Sequence, residues 1–112
     1  MAVYAVHPIK ELDISGALAY GEVLYSNRRY VYADELEGTN IPAAFFSKME
    51  RVVDNFDPDQ DYLLIAGDHR QIVAMAALLA ARWGGFKVLR YDREAKGYVL
   101  ITIDTPDLLE PL

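Results

Sequence analysis

The stretch Asp61–Asp104 reads DYLLIAGDHRQIVAMAALLAARWGGFKVLRYDREAKGYVLITID and decides the fold class. It opens with the apolar run Tyr62–Ala66, which is typical of a strand covered on both faces. A long apolar segment follows and ends at Gly84-Gly85, where glycine favours the end of a helix. The runs Phe86–Asp92 and Tyr98–Ile103 then alternate around a polar turn. Strand, helix and hairpin in this order predict a right-handed crossover and a parallel strand pair.

Single residues mark the ends of these predicted elements. Asp68 is a strong N-cap for the helix, and Gln71 stands three residues later, as in a variant of the capping box. Gly97 closes the polar turn and is expected to take the positive φ of a bulged hairpin.

The N-terminal part of the chain predicts short strands. Val3–Val6 reads as one strand, and Glu22–Tyr25 with Arg29–Tyr32 predicts a β-hairpin around polar residues. Ala17–Tyr20 has two interpretations, a single helical turn capped by Ser15 or an irregular segment.

A second helix is predicted after an N-cap at Thr39 or Asn40, with Pro42 in its first turn. Its apolar side chains fall at offsets 0, 1, 4, 7, 8 and 11, which is one stripe at helical period. Asp57-Pro58 ends it, because the residue before proline is pushed out of the α region. The stripe consists of Phe45, Phe46, Met49, Val52, Val53 and Phe56.

Together these elements predict an α+β fold over residues 1–104. A small mixed β-sheet contains a β-α-β crossover followed by a β-hairpin, and two main helices pack on the sheet. Residues 105–112 contain two prolines and are expected to form a flexible C-terminal tail.

Composition narrows the classes of function. The chain has 112 residues, no cysteine and a hydrophobic fraction of 53%, which suits one globular domain in a reducing compartment. No signal peptide is evident, and a soluble cytoplasmic protein is expected. His7 and His69 lack the spacing of metal ligands, so no metal and no cofactor is predicted.

The charge balance opposes generic binding to nucleic acid. There are 17 acidic and 11 basic residues, and the net charge is −6. Phosphate backbones attract basic surfaces, so only a local basic patch would allow such binding.

The first candidate site is Gly67-Asp68-His69-Arg70, between the predicted strand and helix. Ligands bind at such junctions in open α/β sheets, because helix N–H groups point into the crevice. Arg70 and His69 can hold a phosphate or carboxylate there. A capped helix start with two solvated side chains is the simpler interpretation, since Asp68 satisfies those N–H groups and no glycine-rich phosphate motif is present.

The second candidate is the predicted hairpin, which combines aromatic and basic side chains. Rings stack on bases and guanidinium groups neutralise phosphate in proteins that bind single-stranded nucleic acid. Tyrosine is also favoured in any strand, and polar hairpin tips are ordinary. The residues of this candidate are Tyr25, Arg28, Arg29, Tyr30 and Tyr32.

The third candidate is the apolar helix itself. Residues 72–81 are apolar around the whole circumference, whereas a surface helix needs only one stripe. Either the helix is enclosed within the domain or one face meets another subunit. The bulky face, and hence the candidate interface, consists of Ile72, Met75, Leu79 and Trp83.

No catalytic motif is found, and the sequence does not favour an enzyme. The leading hypothesis is a small binding or regulatory protein that acts through protein–protein contacts and self-associates. A domain that binds a nucleotide, an anion or single-stranded nucleic acid is the alternative. In size, charge and lack of cysteine the chain is similar in style to bacteriophage accessory proteins, including ones that block a host enzyme.

Overall fold

A computed structural model describes residues 1–9, 14–27 and 43–104. It confirms the α+β class, with five strands in one sheet and two α-helices among the described residues. No helix in these ranges is long and apolar enough to cross a membrane. In chain order the elements are β1 (Ala2–Ala5), a 3-10 turn (Ala17–Tyr20), β2 (Glu22–Tyr25), α1 (Ala43–Asn55), β3 (Tyr62–Leu64), α2 (His69–Trp83), β4 (Gly85–Asp92) and β5 (Gly97–Asp104).

The strand order is β2-β1-β3-β4-β5. β1 pairs parallel with both β2 and β3, β3 pairs parallel with β4, and β5 returns antiparallel to β4. The predicted parallel pair and the predicted C-terminal hairpin are therefore confirmed. β2 docks on β1, while its predicted hairpin partner Arg29–Tyr32 and the predicted tail at 105–112 lie outside the described residues.

The connections cover the two faces of the sheet differently. Both helices pack on one face, where Met49 of α1 and Met75 of α2 share a buried cluster with Leu63 of β3. The opposite face carries a smaller cluster that includes Leu64, against which Tyr20 of the 3-10 turn packs. Right-handed crossovers explain this division, because the chain leaves β1 toward β2 in one direction and later reaches β3 and β4 in the other.

Helix α1 buries the predicted stripe. Phe45, Met49 and Val53 point into the core, and Phe56 just beyond the helix is buried beside them. The Phe56 ring lies 5.7 Å from that of Tyr4 on β1. The periodic apolar face therefore attaches the helix to the sheet, as the sequence predicts.

Helix α2 is buried on one side only, although its sequence is apolar on every side. Ile72, Met75 and Leu79 are buried in the core. Val73 is 67% exposed. Alanines supply much of the remaining surface, and their small side chains allow a one-sided helix to look apolar throughout.

Two local predictions are wrong. The residue with positive φ in the β4–β5 turn is Lys96, at 53°, not Gly97. The four-residue turn places the left-handed position one residue before the strand begins. The 3-10 turn is capped by Gly16 without a side-chain hydrogen bond, so Ser15 does not serve as its N-cap. Gly21 does close this turn, and its N–H donates to the carbonyl of Leu18.

Asp61 connects the start of the sheet to the loop before β3. Its carboxylate accepts hydrogen bonds from the backbone N–H groups of Ala2 and Asp57, both at 2.8 Å. The side chain is buried, and charge-assisted bonds of this kind offset the cost of removing a carboxylate from water. Asp61 thus has a structural role at the amino ends of the parallel strands.

Candidate functional site

The carboxyl edge of the parallel strands contains a topological switch point between β1 and β3. From β1 the chain crosses to β2 over one face, whereas the connection into β3 runs over the other face. The carboxyl ends of β1 and β3 lie side by side at this point. Open α/β sheets bind ligands in the crevice at such a position. The predicted site Gly67–Arg70 follows β3 and lies at this edge.

His7 joins the two strand ends. Its Nε2 accepts a hydrogen bond of 3.0 Å from the backbone N–H of Asp68, and its Nδ1 lies 2.9 Å from the carbonyl oxygen of Pro8. A neutral imidazole with its proton on Nδ1 satisfies both contacts. Because Nε2 is already an acceptor for Asp68, this ring positions the loop and is not arranged as a proton-accepting base.

Gly67 allows the close approach between this loop and β1. Its φ is 110°, in a region that residues with a side chain rarely adopt. A Cβ at this position would lie 2.9 Å from both Nε2 of His7 and Cγ2 of Val6. Only glycine therefore fits between the ends of β1 and β3 without displacement of its neighbours.

The N-terminus of α2 is capped by the chain itself. The predicted N-cap is confirmed, since Oδ2 of Asp68 accepts from the backbone N–H of Gln71 at 3.0 Å. Arg70 turns back to the same carboxylate, with Nη2 at 3.4 Å from Oδ1. His69 is exposed on the first turn. The arrangement presents one partly neutralised guanidinium and one imidazole to a ligand.

Gln71 lies in the first turn of α2 and is buried, with 1% of its surface exposed. Neither its Oε1 nor its Nε2 has a hydrogen-bond partner among the described residues. The reciprocal side-chain bond of a complete capping box is therefore absent. A buried amide without partners loses its hydration and gains nothing in return, so this residue lowers the stability of the fold.

Of the second candidate site, the structure describes Tyr25 alone. It ends β2, and its side chain packs partly buried on the face opposite the helices. Ser26 and Asn27 extend the pairing beyond the strand, where their N–H groups donate to the carbonyls of Ala5 and Val6. Arg28, Arg29, Tyr30 and Tyr32 lie outside the described residues.

The third candidate site is largely internal. Ile72, Met75 and Leu79 fill the core and are not available to a second subunit, because the chain's own sheet covers them. Trp83 remains 36% exposed at the end of α2, and its indole N–H donates to the carbonyl of Val53 at 3.0 Å. An interface on this helix would have to use its other face.

A cleft of about 370 Å³ lies at the opposite, amino edge of the sheet. Trp83 and Phe86 form part of its wall, and Asp104 lies at its border. The ammonium group of Lys87 in the cleft donates to the carbonyl of Asp59 at 2.7 Å and lies 4.8 Å from the centre of the Tyr62 ring. Its cation is therefore engaged within the chain. The cleft is far from Gly67–Arg70 and does not extend that site.

β5 is one of the two edge strands of the sheet, the other being β2, and within the described ranges it pairs only with β4. Its first seven residues, GYVLITI, contain no charge and no proline, and Leu100 is 45% exposed. Natural edge strands are usually blunted by charge, proline, shortness or a bulge. The unbroken pairing of all eight residues with β4 also excludes a bulge. Among the described residues, no further strand lies along the outer edge of β5.

Two of these features escaped sequence reasoning. His7 follows an apolar strand at a distance of 60 residues from Gly67, and only the strand order brings the two together. The edge position of β5 likewise depends on the order of strands. The absence of charge in its sequence was a visible signal, but a central strand would look the same.

The chain matches one family model, described as Phage Pam3 gp32-like protein, over residues 2–105. The match runs from the first residue of β1 to the residue after β5. Neither the curated proteins nor the solved structures contain a match.

Proposed function

The chain belongs to the family of Phage Pam3 gp32-like proteins, and we propose that it acts there by protein–protein contact, as a self-associating binding protein. The observation that carries the proposal is the edge strand β5, whose first seven residues carry no charge. Its outer backbone groups offer hydrogen bonds to a strand from another molecule, which is a common mode of protein recognition.

The exposed side chains around β5 support the same surface. Leu100 is 45% exposed and Tyr91 is 38% exposed. The Tyr91 ring meets Tyr98 edge-on at 5.4 Å, so the three form an apolar patch beside the free edge. Pairing through the edge would cover part of this patch and add apolar burial to the backbone hydrogen bonds.

Light scattering of the purified full chain tests the proposal. We expect a dimer at micromolar concentration, and Leu100→Lys should shift it to a monomer, because a charge at the centre of the edge opposes pairing. Val73→Lys is the matched control, since it places the same charge at an exposed apolar position on α2. Weak dimers have dissociation constants on the order of 100 µM or below. A wild-type protein that stays monomeric at that concentration, or a dimer broken by Val73→Lys alone, would contradict the assignment to β5.

Binding of an anionic ligand at the carboxyl edge is the second candidate function. The specific observation in its favour is the switch point between β1 and β3, with His69 and Arg70 on the first turn of α2. Ligand phosphate would replace Asp68 as the partner of the Arg70 guanidinium.

Calorimetry with inorganic phosphate, ATP and a short single-stranded DNA distinguishes the ligand classes. Arg70→Ala should weaken the binding of a phosphate ligand about tenfold, as expected for one charge-assisted hydrogen bond. Arg82→Ala removes the same charge at the other end of α2 and should leave affinity unchanged. Equal affinities for wild type and Arg70→Ala would exclude this site.

A further inference from the structure

One hydrogen bond on β4 determines which residues of β5 direct their backbone N–H and C=O groups away from β4. The carbonyl of Leu89 accepts from the N–H of Ile65, beyond the end of β3, so the backbone of Leu89 faces away from β5. In a strand successive residues face opposite neighbours, so Val88 and Arg90 face β5, where their register partners are Ile101 and Val99.

The remaining residues of β5 therefore direct their N–H and C=O groups outward. These are Tyr98, Leu100, Thr102 and the last residue, Asp104, whose side chains also share one face of the sheet. Tyr98 packs on the face opposite the helices, so the other three side chains project on that side as well. A strand added at this edge would bond to outward-facing residues of this set.

A second copy of β5 fits this edge in an antiparallel, twofold arrangement. Isologous contacts are the commonest in homo-oligomers, and they require a surface that complements itself. Outward-facing residues must oppose outward-facing residues, which excludes every register in which Leu100 would lie opposite Val99 or Ile101. The registers that remain differ in which residue lies on the axis.

Charge selects among them. Lys96 precedes Leu100 by four residues, and Asp104 follows it by four. With the axis at Leu100, each Lys96 therefore lies opposite Asp104 of the second copy, while all seven uncharged residues from Gly97 to Ile103 are paired. Moving the axis by one residue to Val99 would instead place Lys96 opposite Thr102.

We propose that two copies of the chain join their β5 strands antiparallel about a twofold axis at Leu100, with Lys96 of each copy beside Asp104 of the other. The two sheets become one continuous sheet, to which each copy contributes the five strands of its described residues. Leu100 packs against Leu100 of the second copy, and Tyr98 lies opposite Thr102, a pairing of an aromatic with a β-branched side chain that stabilises sheets. This register rests on the self-association proposed above and specifies its partner and geometry.

Charge reversal tests the two ion pairs. Lys96→Asp or Asp104→Lys alone converts both attractions into repulsions and should weaken dimerisation roughly tenfold in sedimentation equilibrium. The double variant restores opposite charges and should recover the wild-type dissociation constant to within about threefold. Arg93→Asp, in the same turn but outside the proposed contact, is the control for the change in net charge.

Cross-linking tests the axis directly, because the chain has no cysteine of its own. Leu100→Cys should link to its own copy through a short bifunctional maleimide, since opposite Cα atoms in such a pair are about 5.5 Å apart. Thr102→Cys should not link, because two copies of residue 102 would be offset by four residues, roughly 14 Å.

The outcomes separate the register from the proposed function. A wild-type dimer that links through Thr102→Cys and not through Leu100→Cys, or that ignores both charge reversals, overturns the register and leaves self-association through β5 intact. A monomeric wild type overturns both.

Discussion

Gly67 is the residue on which the carboxyl edge of the sheet most directly depends. Two independent constraints act there. The φ of Gly67 is 110°, and a Cβ at this position would lie only 2.9 Å from side-chain atoms of His7 and Val6. Gly84 is under the first constraint only, because its φ is 81° and a Cβ would meet no atom within 4 Å. Comparing substitutions at the two glycines therefore distinguishes the cost of backbone strain from the cost of steric overlap.

We expect Gly67→Ala to lower the free energy of unfolding by about 2–4 kcal/mol, and Gly84→Ala by about 1 kcal/mol. The difference is the cost of moving His7 and Val6. Urea denaturation followed by circular dichroism measures both values. If the two variants lose equal stability, the contact between Gly67 and His7 contributes nothing, and our account of how the loop is held against β1 is wrong.

His7 shows why the residue composition of a site is a poor guide to its chemistry. A histidine at a switch point, next to a second histidine, suggests acid–base catalysis. Its hydrogen bonds instead hold the loop after β3 in place, because Nε2 accepts from the backbone N–H of Asp68. His69 and Arg70 are the side chains of this site that remain accessible to solvent.

At the scale of elements, sequence periodicity correctly predicted those helices and strands that depend on residues close together in the chain. The apolar stripe of α1, the Asp68 cap of α2 and the alternating runs of β4 and β5 each depend on residues close together in sequence. The pairing of β2 with β1 depends on contacts across 20 residues and was not predicted. Turn chemistry failed within the β4–β5 turn, because Lys96 takes the left-handed conformation that glycine was expected to supply.

The candidate site divides in the same way. Gly67–Arg70 could be identified from a strand followed by a cap and a helix, since that signal is continuous in sequence. The neighbouring His7 and the edge position of β5 could not be identified from the sequence. Strand order alone places His7 beside Gly67 and β5 at the edge of the sheet. The apolar circumference of α2 allowed either a helix enclosed within the domain or an interface, and three of the four predicted contact residues are buried in the core.

Helix α2 contains a residue whose replacement should stabilise the fold. Gln71 buries an amide that has no hydrogen-bond partner at either atom within the part of the chain that the structure describes. Gln71→Leu keeps a similar volume without the desolvation cost, and we expect the free energy of unfolding to rise by about 1 kcal/mol. Gln60→Leu is the control on an exposed glutamine and should change stability by no more than about 0.5 kcal/mol.

A fall in stability for Gln71→Leu would contradict this account and show that the amide has a partner in solution. If Gln71→Leu is more stable but loses a ligand bound at the carboxyl edge, the buried amide is retained for binding. Such a cost in stability is common at functional sites. The same two purified variants serve for both denaturation and binding measurements.

At the scale of the whole molecule, acidic residues lie at both ends of the described strands. Glu22, Asp61 and Asp104 all lie at the amino edge of the parallel strands, since β5 runs in the opposite direction and ends beside Gly85. At the carboxyl edge Arg70 lies beside its partner Asp68, and β4 ends at Asp92.

The acidic residues at the amino edge also affect the pKa of Tyr4, whose titration is coupled to the stability of the fold. Burial, Asp61 and Glu22 together raise the pKa of the Tyr4 phenol above 10.0. The unfolded chain therefore releases this proton first as the pH rises. The stability that neutral Tyr4 contributes is fully present below about pH 10 and is lost as the pH rises through the pKa of the folded state.

We accordingly expect the free energy of unfolding of the wild type to fall between pH 9 and pH 11 by more than that of Tyr4→Phe, which has no such proton to lose. Urea titrations of both proteins across this range give the comparison, and the other ionisable groups cancel because the two chains share them. Asp61 makes the second-largest contribution to the shift, so added salt should narrow the difference only slightly, as burial comes first. Parallel curves for the two proteins would mean that Tyr4 is as hydrated in the folded state as in the unfolded chain, and that β1 is less enclosed by α1 and the amino edge than described here.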